Sequence, residues 1–124
     1  MIKDWDRYPN FSRKEFECSH TGECDMDPEF MDALQELRNQ FGPMRITSGY
    51  RSPEHPIEAR KVKPGTHASG QAADIATSRG DAVRLLRLAL LDGRFTGFGI
   101  QQKRGGKFIH LDSTTTHRPM IWSY

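Results

Sequence analysis

The chain lacks any apolar run long enough to cross a bilayer, and it has little net charge. A membrane-spanning helix needs about 20 consecutive apolar residues, so we expect no membrane partner. The formal net charge of +2 over 124 residues is too small and too scattered to indicate a nucleic-acid partner. The first residues carry mixed charge without an apolar segment, unlike a signal peptide. We therefore expect synthesis in the cytoplasm.

Cysteine is also scarce, and the two cysteines, Cys18 and Cys24, lie close together in one short segment. A disulfide between them would staple this loop in an oxidising compartment. A zinc ion held by Cys18, His20 and Cys24 would staple it too, but it would lack an evident fourth ligand. Two free thiols are the third arrangement. The sequence favours a stapled loop and free thiols equally.

Several signatures of common enzyme classes are missing as well. The sequence has no glycine-rich phosphate loop, no nucleophile elbow with a serine triad and no HExxH zinc motif. Its 35% hydrophobic and 27% charged residues are typical of a globular chain of a size that suits one core. We predict a single domain over residues 1–124, including the cysteine loop, that is a monomer.

Helix caps, apolar spacing and turn residues together predict an α+β fold. Helices are predicted to begin at a capping box over 12–15, at Asp27-Pro28, and at Ser78, where Val83, Leu86 and Leu90 follow at helical spacing. Strands are predicted at 44–48 and 71–76, with a β-hairpin over 96–101 and 107–113. The proline-rich stretch 52–66 is expected to hold one helical turn near 57–60. This order favours a small antiparallel or mixed sheet flanked by helices.

Two segments place imidazole and carboxylate groups near each other. His67 and Asp74 are separated only by small or uncharged side chains. His110 and Asp112 would share the open face of the last predicted strand, because alternate side chains of a strand point the same way. Two histidines and a carboxylate with one position left for water form a ligand set of hydrolytic zinc sites. If these groups converge, the chain is a metal-dependent hydrolase.

Three segments in order resemble the signatures of the zinc D-alanyl-D-alanine carboxypeptidase family, which includes peptidoglycan endopeptidases and phage endolysins. They are SGYRS at 48–52, HxxGxAxD at 67–74 and FIHLD at 108–112. The resemblance spans roughly residues 11 to 122 and is closest to small phage-type members. It implies a DD-peptidase-like fold, which hedgehog domains share.

The resemblance implies that Zn²⁺ is held by His67, Asp74 and His110. It implies a metallopeptidase that cleaves peptidoglycan stem peptides, at a bond involving a D-amino acid, by attack of a zinc-activated water. Arg51 matches an arginine that faces the substrate in the family, and a guanidinium can bind a carboxylate through two parallel hydrogen bonds. A phage-encoded lysin or a virion-associated protein, acting on the cell wall, would fit this activity.

The proton-transfer residue is where the chain departs from the family pattern. Several members have an acidic residue three positions before the last histidine, and Lys107 stands there in this chain. Asp112 is the candidate general base, or else the hydrogen-bond partner of His110, and His117 is held in reserve. The departure leaves an alternative function open, a non-catalytic zinc-containing binding or virion structural module on the same scaffold.

Overall fold

The structure, a computed structural model, describes residues 2–59 and 65–124. After a short 3-10 helix, Trp5–Arg7, the helices are α1 (Arg13–Phe16), α2 (Pro28–Phe41), α3 (Pro56–Ala59) and α4 (Arg79–Asp92). The strands are β1 (Arg45–Ser48), β2 (Ala72–Ala76), β3 (Gly97–Gln101), β4 (Phe108–Asp112) and β5 (Met120–Ser123). The helical turn expected near 57–60 is α3, although residue 60 lies outside the described residues. Within the described chain, no helix has the length and apolarity that crossing a bilayer requires.

The described strands form one mixed sheet in the order β1-β2-β4-β3-β5. β3 and β5 are parallel, and every other neighbouring pair is antiparallel. The predicted hairpin is the β3–β4 pair, in which Gly99 lies opposite His110. The α+β class with a mixed sheet is therefore confirmed. β4 is central, so its side chains have a neighbouring strand on each side.

The helix starts predicted at 12–15 and at Asp27-Pro28 are confirmed by their hydrogen bonds, and α4 begins directly after Ser78 as predicted. The Ser12 N–H donates to the Glu15 carboxylate at 2.8 Å, which is half of a capping box. The Asp27 carboxylate accepts the N–H of Phe30 at 2.9 Å and caps α2. α4 ends at Gly93, whose φ of 83° is in the left-handed region that favours glycine.

The hydrophobic core lies between the sheet and the two long helices. α2 buries Phe30, Leu34 and Leu37 completely, and α4 packs against it. The buried residues of α4 are Ala82, Leu85 and Ala89, whereas Val83 and Leu90 are 56% and 54% exposed. The core-facing side of α4 is therefore offset by one residue from the apolar spacing seen in the sequence.

The cysteine loop is held by its own backbone. Cys18 and Cys24 are buried free thiols. The Cys18 N–H donates to the Glu23 carbonyl at 2.6 Å, and the Gly22 N–H donates to the Cys18 carbonyl at 2.8 Å. The His20 ring lies against that of His55 at 6.1 Å, and the loop forms no cluster of metal-ligating atoms in the described structure. Of the three arrangements left open, the structure has free thiols.

Candidate metal centre

His67 is placed by the turn at 48–52. Its Nδ1 lies 2.7 Å from the Gly49 carbonyl oxygen, and its own carbonyl accepts the Arg51 N–H at 3.2 Å. A carbonyl oxygen only accepts hydrogen bonds, so Nδ1 carries a proton, and Nε2 is the nitrogen that is turned toward Asp74. The SGYRS segment therefore supports the first histidine as well as lining the site.

Gly70 allows the chain to turn between His67 and β2. Its φ of +75° favours glycine, and a Cβ there would lie 2.1 Å from the Asp25 carbonyl oxygen. The Gly70 backbone packs directly against the backbone of residues 25–27, and its carbonyl accepts the Asp27 N–H at 2.9 Å. The small residues of the HxxGxAxD segment thus permit the close backbone approach that brings His67 toward Asp74.

The structure brings His67, Asp74 and His110 together. Asp74 on β2 pairs directly with His110 on β4. The Asp74 Oδ1 lies 3.0 Å from His110 Nδ1 and 3.3 Å from His67 Nε2. All three ligand atoms lie within 4.8 Å of one another, and the side chains are buried. Ligand atoms about 2.0 Å from a tetrahedral zinc ion are about 3.3 Å apart, so this spacing suits zinc.

Asp112 binds the other ring nitrogen of His110. The His110 Nε2–H donates to Asp112 Oδ2 at 2.8 Å. Arg118 donates to the same carboxylate twice, from Nε to Oδ1 at 2.9 Å and from Nη2 to Oδ2 at 2.8 Å. Both oxygens of Asp112 are therefore engaged, and its carboxylate is an acceptor in a closed network.

The expectation that this face of β4 is open is wrong. His110 is 3% exposed and Asp112 is 0% exposed, because the face is covered. A Cβ on Gly97 would lie 2.2 Å from the Asp112 carboxylate, and a Cβ on Gly99 would lie 2.8 Å from the indole nitrogen of Trp122. The glycines of β3 thus leave the space that Asp112 and Trp122 occupy, with the Trp122 ring 5.2 Å from that of His110.

Hydrogen bonds outweigh burial in setting the charges of these groups. Burial would raise the pKa of Asp74, but hydrogen bonds with His110 and His67 hold it well below its usual range. The pKa of Asp112 falls to about 2, because contacts with His110 and Arg118 overcome its burial. Burial would lower the pKa of His110, yet Asp112 and Asp74 raise it. Both carboxylates are therefore ionised at neutral pH.

The three clustered residues lie in a cavity of about 480 Å³. Its other walls include Arg51, Trp122 and Tyr124. The Arg51 guanidinium lies 3.9 Å from the Asp74 carboxylate. Burial raises the pKa of Tyr124, so its phenol keeps its proton at neutral pH. The cavity thus combines a metal-ligating cluster, a cation and an uncharged proton donor.

The proton-transfer candidates from the sequence do not line this cavity in the described structure. Asp112 lies behind His110, and His117 is exposed in a loop. Lys107, which stands where several family members have an acid, is exposed just before β4 and does not line the cavity either. Sequence reasoning missed Arg118 as a partner of the site. It also missed the Gly97-x-Gly99 spacing, which in a strand leaves one face without side chains.

Comparison with known protein families gives one match. The chain matches the Peptidase M15 family model over residues 9–112, a stretch that includes SGYRS, the three clustered residues and Asp112. No curated protein and no solved structure matches the chain. The family consists of zinc peptidases of the D-alanyl-D-alanine carboxypeptidase type, and a His–Asp–His cluster is the metal-ligating set that such an enzyme needs. The match covers most of the chain, so this protein belongs to the Peptidase M15 family.

Proposed function

We propose that this protein is a zinc metallopeptidase that cleaves peptidoglycan stem peptides at a bond involving a D-amino acid. The observation that carries the proposal is the convergence of His67, Asp74 and His110 in a cavity of a Peptidase M15 chain. The peptidoglycan substrate is supported by the ordered SGYRS, HxxGxAxD and FIHLD segments, which resemble those of wall peptidases.

In this proposal His67, Asp74 and His110 hold the metal. Each histidine donates its other ring N–H to a protein acceptor, Gly49 or Asp112, as metal-ligating histidines generally do. When bound, zinc would polarise the scissile carbonyl and lower the pKa of a water molecule toward about 7. The residues fit the ion because His67 Nε2, His110 Nδ1 and the Asp74 carboxylate converge, while the other ring nitrogen of each histidine is turned away to its acceptor.

We assign Asp112 to orienting His110, the second of the two roles that the sequence left open. A general base must come within about 2.6–3.2 Å of the proton that it removes. Asp112 has no exposed surface, and both its oxygens are engaged by His110 and Arg118. Its pKa of about 2 also makes it a weak base.

Tyr124 and Arg51 are the proposed contacts with the substrate. Tyr124 lines the cavity and its hydroxyl keeps its proton, so it can donate a hydrogen bond to the oxygen that becomes negative during attack. The Arg51 side chain is 21% exposed and lines the same cavity. It can bind a carboxylate of the stem peptide, at the chain end or on a side chain.

Fragment release from purified peptidoglycan tests the proposed activity. We expect the zinc-loaded protein to release stem-peptide fragments, a chelator to stop the release, and added zinc to restore it. Mass spectrometry of the fragments identifies the bond. Asp74→Asn should abolish release, whereas Asp81→Asn, an exposed aspartate on α4, is the matched control that should not. Chelator-resistant release, or no release, contradicts the proposal.

The proposed place of action is the bacterial cell wall. The resemblance to small phage-type members supports a phage-encoded lysin or a virion-associated enzyme. The two differ in whether the protein is packaged. Mass spectrometry of purified virions separates them, because a free lysin is absent from the particle.

The second candidate is a non-catalytic zinc-containing module, a binding or virion structural protein on the same scaffold. The observation that favours it is that Asp74, already assigned to the metal, is the only carboxylate among the described residues that line the cavity. This function predicts that the zinc-loaded protein sediments with purified wall and releases no fragments. Release in the same assay excludes it.

A further inference from the structure

We propose that Arg118 is a positioning residue of the metal centre, which fixes the ring nitrogen that His110 presents to the metal. The inference rests on the proposed zinc site. Arg118 lies outside the stretch 9–112 that matches the family model, so the family match does not assign it a role.

The first step is the pair of hydrogen bonds that Arg118 donates to Asp112. Nε and Nη2 donate to the two oxygens of the carboxylate at 2.9 and 2.8 Å. Nη1 donates to the Thr116 and His117 carbonyls at 3.4 and 3.1 Å. Every nitrogen of the guanidinium is thus engaged, and its side chain is only 12% exposed. Two parallel bonds fix the plane of the Asp112 carboxylate, which one bond would leave free to rotate.

The second step is the effect of that carboxylate on His110. A neutral imidazole carries its proton on either Nδ1 or Nε2, and the hydrogen bond that one nitrogen makes selects the tautomer. The Asp112 carboxylate accepts rather than donates, so Nε2 of His110, 2.8 Å away, carries a proton and is turned away from the cluster. Nδ1 is thereby turned toward the cluster, 3.0 Å from the Asp74 carboxylate, where a bound metal would take the place of any proton on it. The orientation of Asp112 therefore decides which nitrogen is a ligand.

A second contact connects Arg118 to the same ring. Its guanidinium carbon lies 5.2 Å from the centre of the Trp122 ring, and Trp122 lies 5.2 Å from the His110 ring. Arg118 thus restrains both neighbours of His110, the acceptor at Nε2 and the aromatic ring beside it. A lysine would keep the charge but lose the planar fork that makes these contacts together.

Zinc affinity of the whole protein tests the role of Arg118. We would measure it by competition with a chromogenic chelator for wild type, Arg118→Met and Arg118→Lys. The matched control is Arg94→Met, because Arg94 also pairs twice, with Asp92 and Glu36, which are not part of the metal centre. We expect Arg118→Met to bind zinc about 10- to 100-fold more weakly, as when outer partners of metal ligands are removed. Arg118→Lys should recover part of the loss, and Arg94→Met should bind like wild type.

A double-mutant cycle separates positioning from a purely structural ion pair. If Arg118 acts through Asp112, Arg118→Met should add little further loss of zinc affinity to Asp112→Asn. In the zinc-loaded proteins, the ¹⁵N NMR signals of the histidine side chains should show His110 bound through Nδ1 with a protonated Nε2 in wild type, and a mixture of Nδ1- and Nε2-bound forms in Arg118→Met. Since Arg118→Lys and Asp112→Asn report on the same path, they serve where Arg118→Met does not fold.

Two outcomes overturn the inference in different ways. Unchanged zinc affinity in Arg118→Met, or the same loss in Arg94→Met, contradicts the positioning role while leaving the peptidase proposal intact. A wild-type protein that binds no zinc contradicts both. Fragment release from peptidoglycan by the wild type, measured in parallel, tells the two failures apart.

Discussion

At the scale of single residues, the metal centre depends on which atom each side chain presents. His67 turns Nε2 toward Asp74 and His110 turns Nδ1 toward it, because the other nitrogen of each ring is held by Gly49 or Asp112. The resemblance to the peptidase family implied that these residues converge, but not which nitrogen each ring presents. Which nitrogen each ring presents is set by its hydrogen-bond acceptor, the Gly49 carbonyl for His67 and the Asp112 carboxylate for His110.

Replacing Asp112 with asparagine distinguishes an orienting residue from a general base. The amide keeps the size of the carboxylate but loses its charge and one acceptor oxygen. We expect zinc affinity to fall by about 10- to 100-fold and peptidase activity to return at high zinc concentration. A variant that binds zinc like wild type yet stays inactive would instead make Asp112 the base.

Replacing Tyr124 with phenylalanine removes only the hydroxyl of a residue that lines the cavity. We expect kcat to fall by about 10²-fold, the loss typical of one donor to a developing oxyanion. Zinc affinity and thermal stability should not change. Tyr8→Phe is the control, because the Tyr8 hydroxyl binds Asp32 away from the cavity at 3.0 Å. Equal activity of Tyr124→Phe and wild type would remove Tyr124 from the mechanism.

At the scale of elements, local signals predicted more than long-range pairing did. The caps of α1 and α2 and the β3–β4 hairpin all have signals within a few residues, and the structure confirms them. β5 was not predicted, because it pairs in parallel with β3 and no tight turn joins the two strands. The prediction of an open face on β4 was wrong because it did not include β5, which places Trp122 against His110.

The glycines of β3 give a test of how closely the elements pack. In Gly97→Ala the new Cβ would lie 2.2 Å from the Asp112 carboxylate. We expect a loss of about 1–3 kcal/mol in unfolding free energy, as for overpacking elsewhere, together with weaker zinc binding. Gly105→Ala, in the loop that joins β3 to β4, meets nothing within 4 Å and should behave like wild type in both measurements. Equal stability of the two variants would show that Asp112 can move aside.

At the scale of the whole molecule, the sheet supports the site and the helices stabilise the sheet. β2 and β4 supply Asp74 and His110 in direct register, and the loop before β2 supplies His67. The sequence could predict this arrangement because it is encoded in three ordered segments. The side chains that bury the cluster, such as Trp122, come from the chain after β4, and no sequence motif predicts their position.

Global stability should fall in alkaline solution because of Cys24. Burial raises the pKa of its thiol to about 11, whereas an unfolded chain has a cysteine pKa of about 8.5. Between these values the unfolded state loses a proton that the folded state keeps, so unfolding becomes easier as pH rises. Urea unfolding of Cys24→Ala from pH 7 to 10.5 should therefore show a shallower alkaline decline than wild type. An identical decline in both proteins would contradict this prediction. Cys18→Ala should not flatten the decline, because burial would raise the pKa of the Cys18 thiol but hydrogen bonds with Thr21, Ser52 and His20 lower it.

The central claim is that bound zinc makes this protein a peptidoglycan peptidase. The most direct measurement is the rate of stem-peptide release from purified peptidoglycan while zinc is titrated into the metal-free protein. We predict no release without metal, a rise that saturates at a single equivalent of zinc, and no rise in His110→Ala. A rate that does not depend on zinc, or a zinc-saturated protein that releases nothing, would contradict the claim.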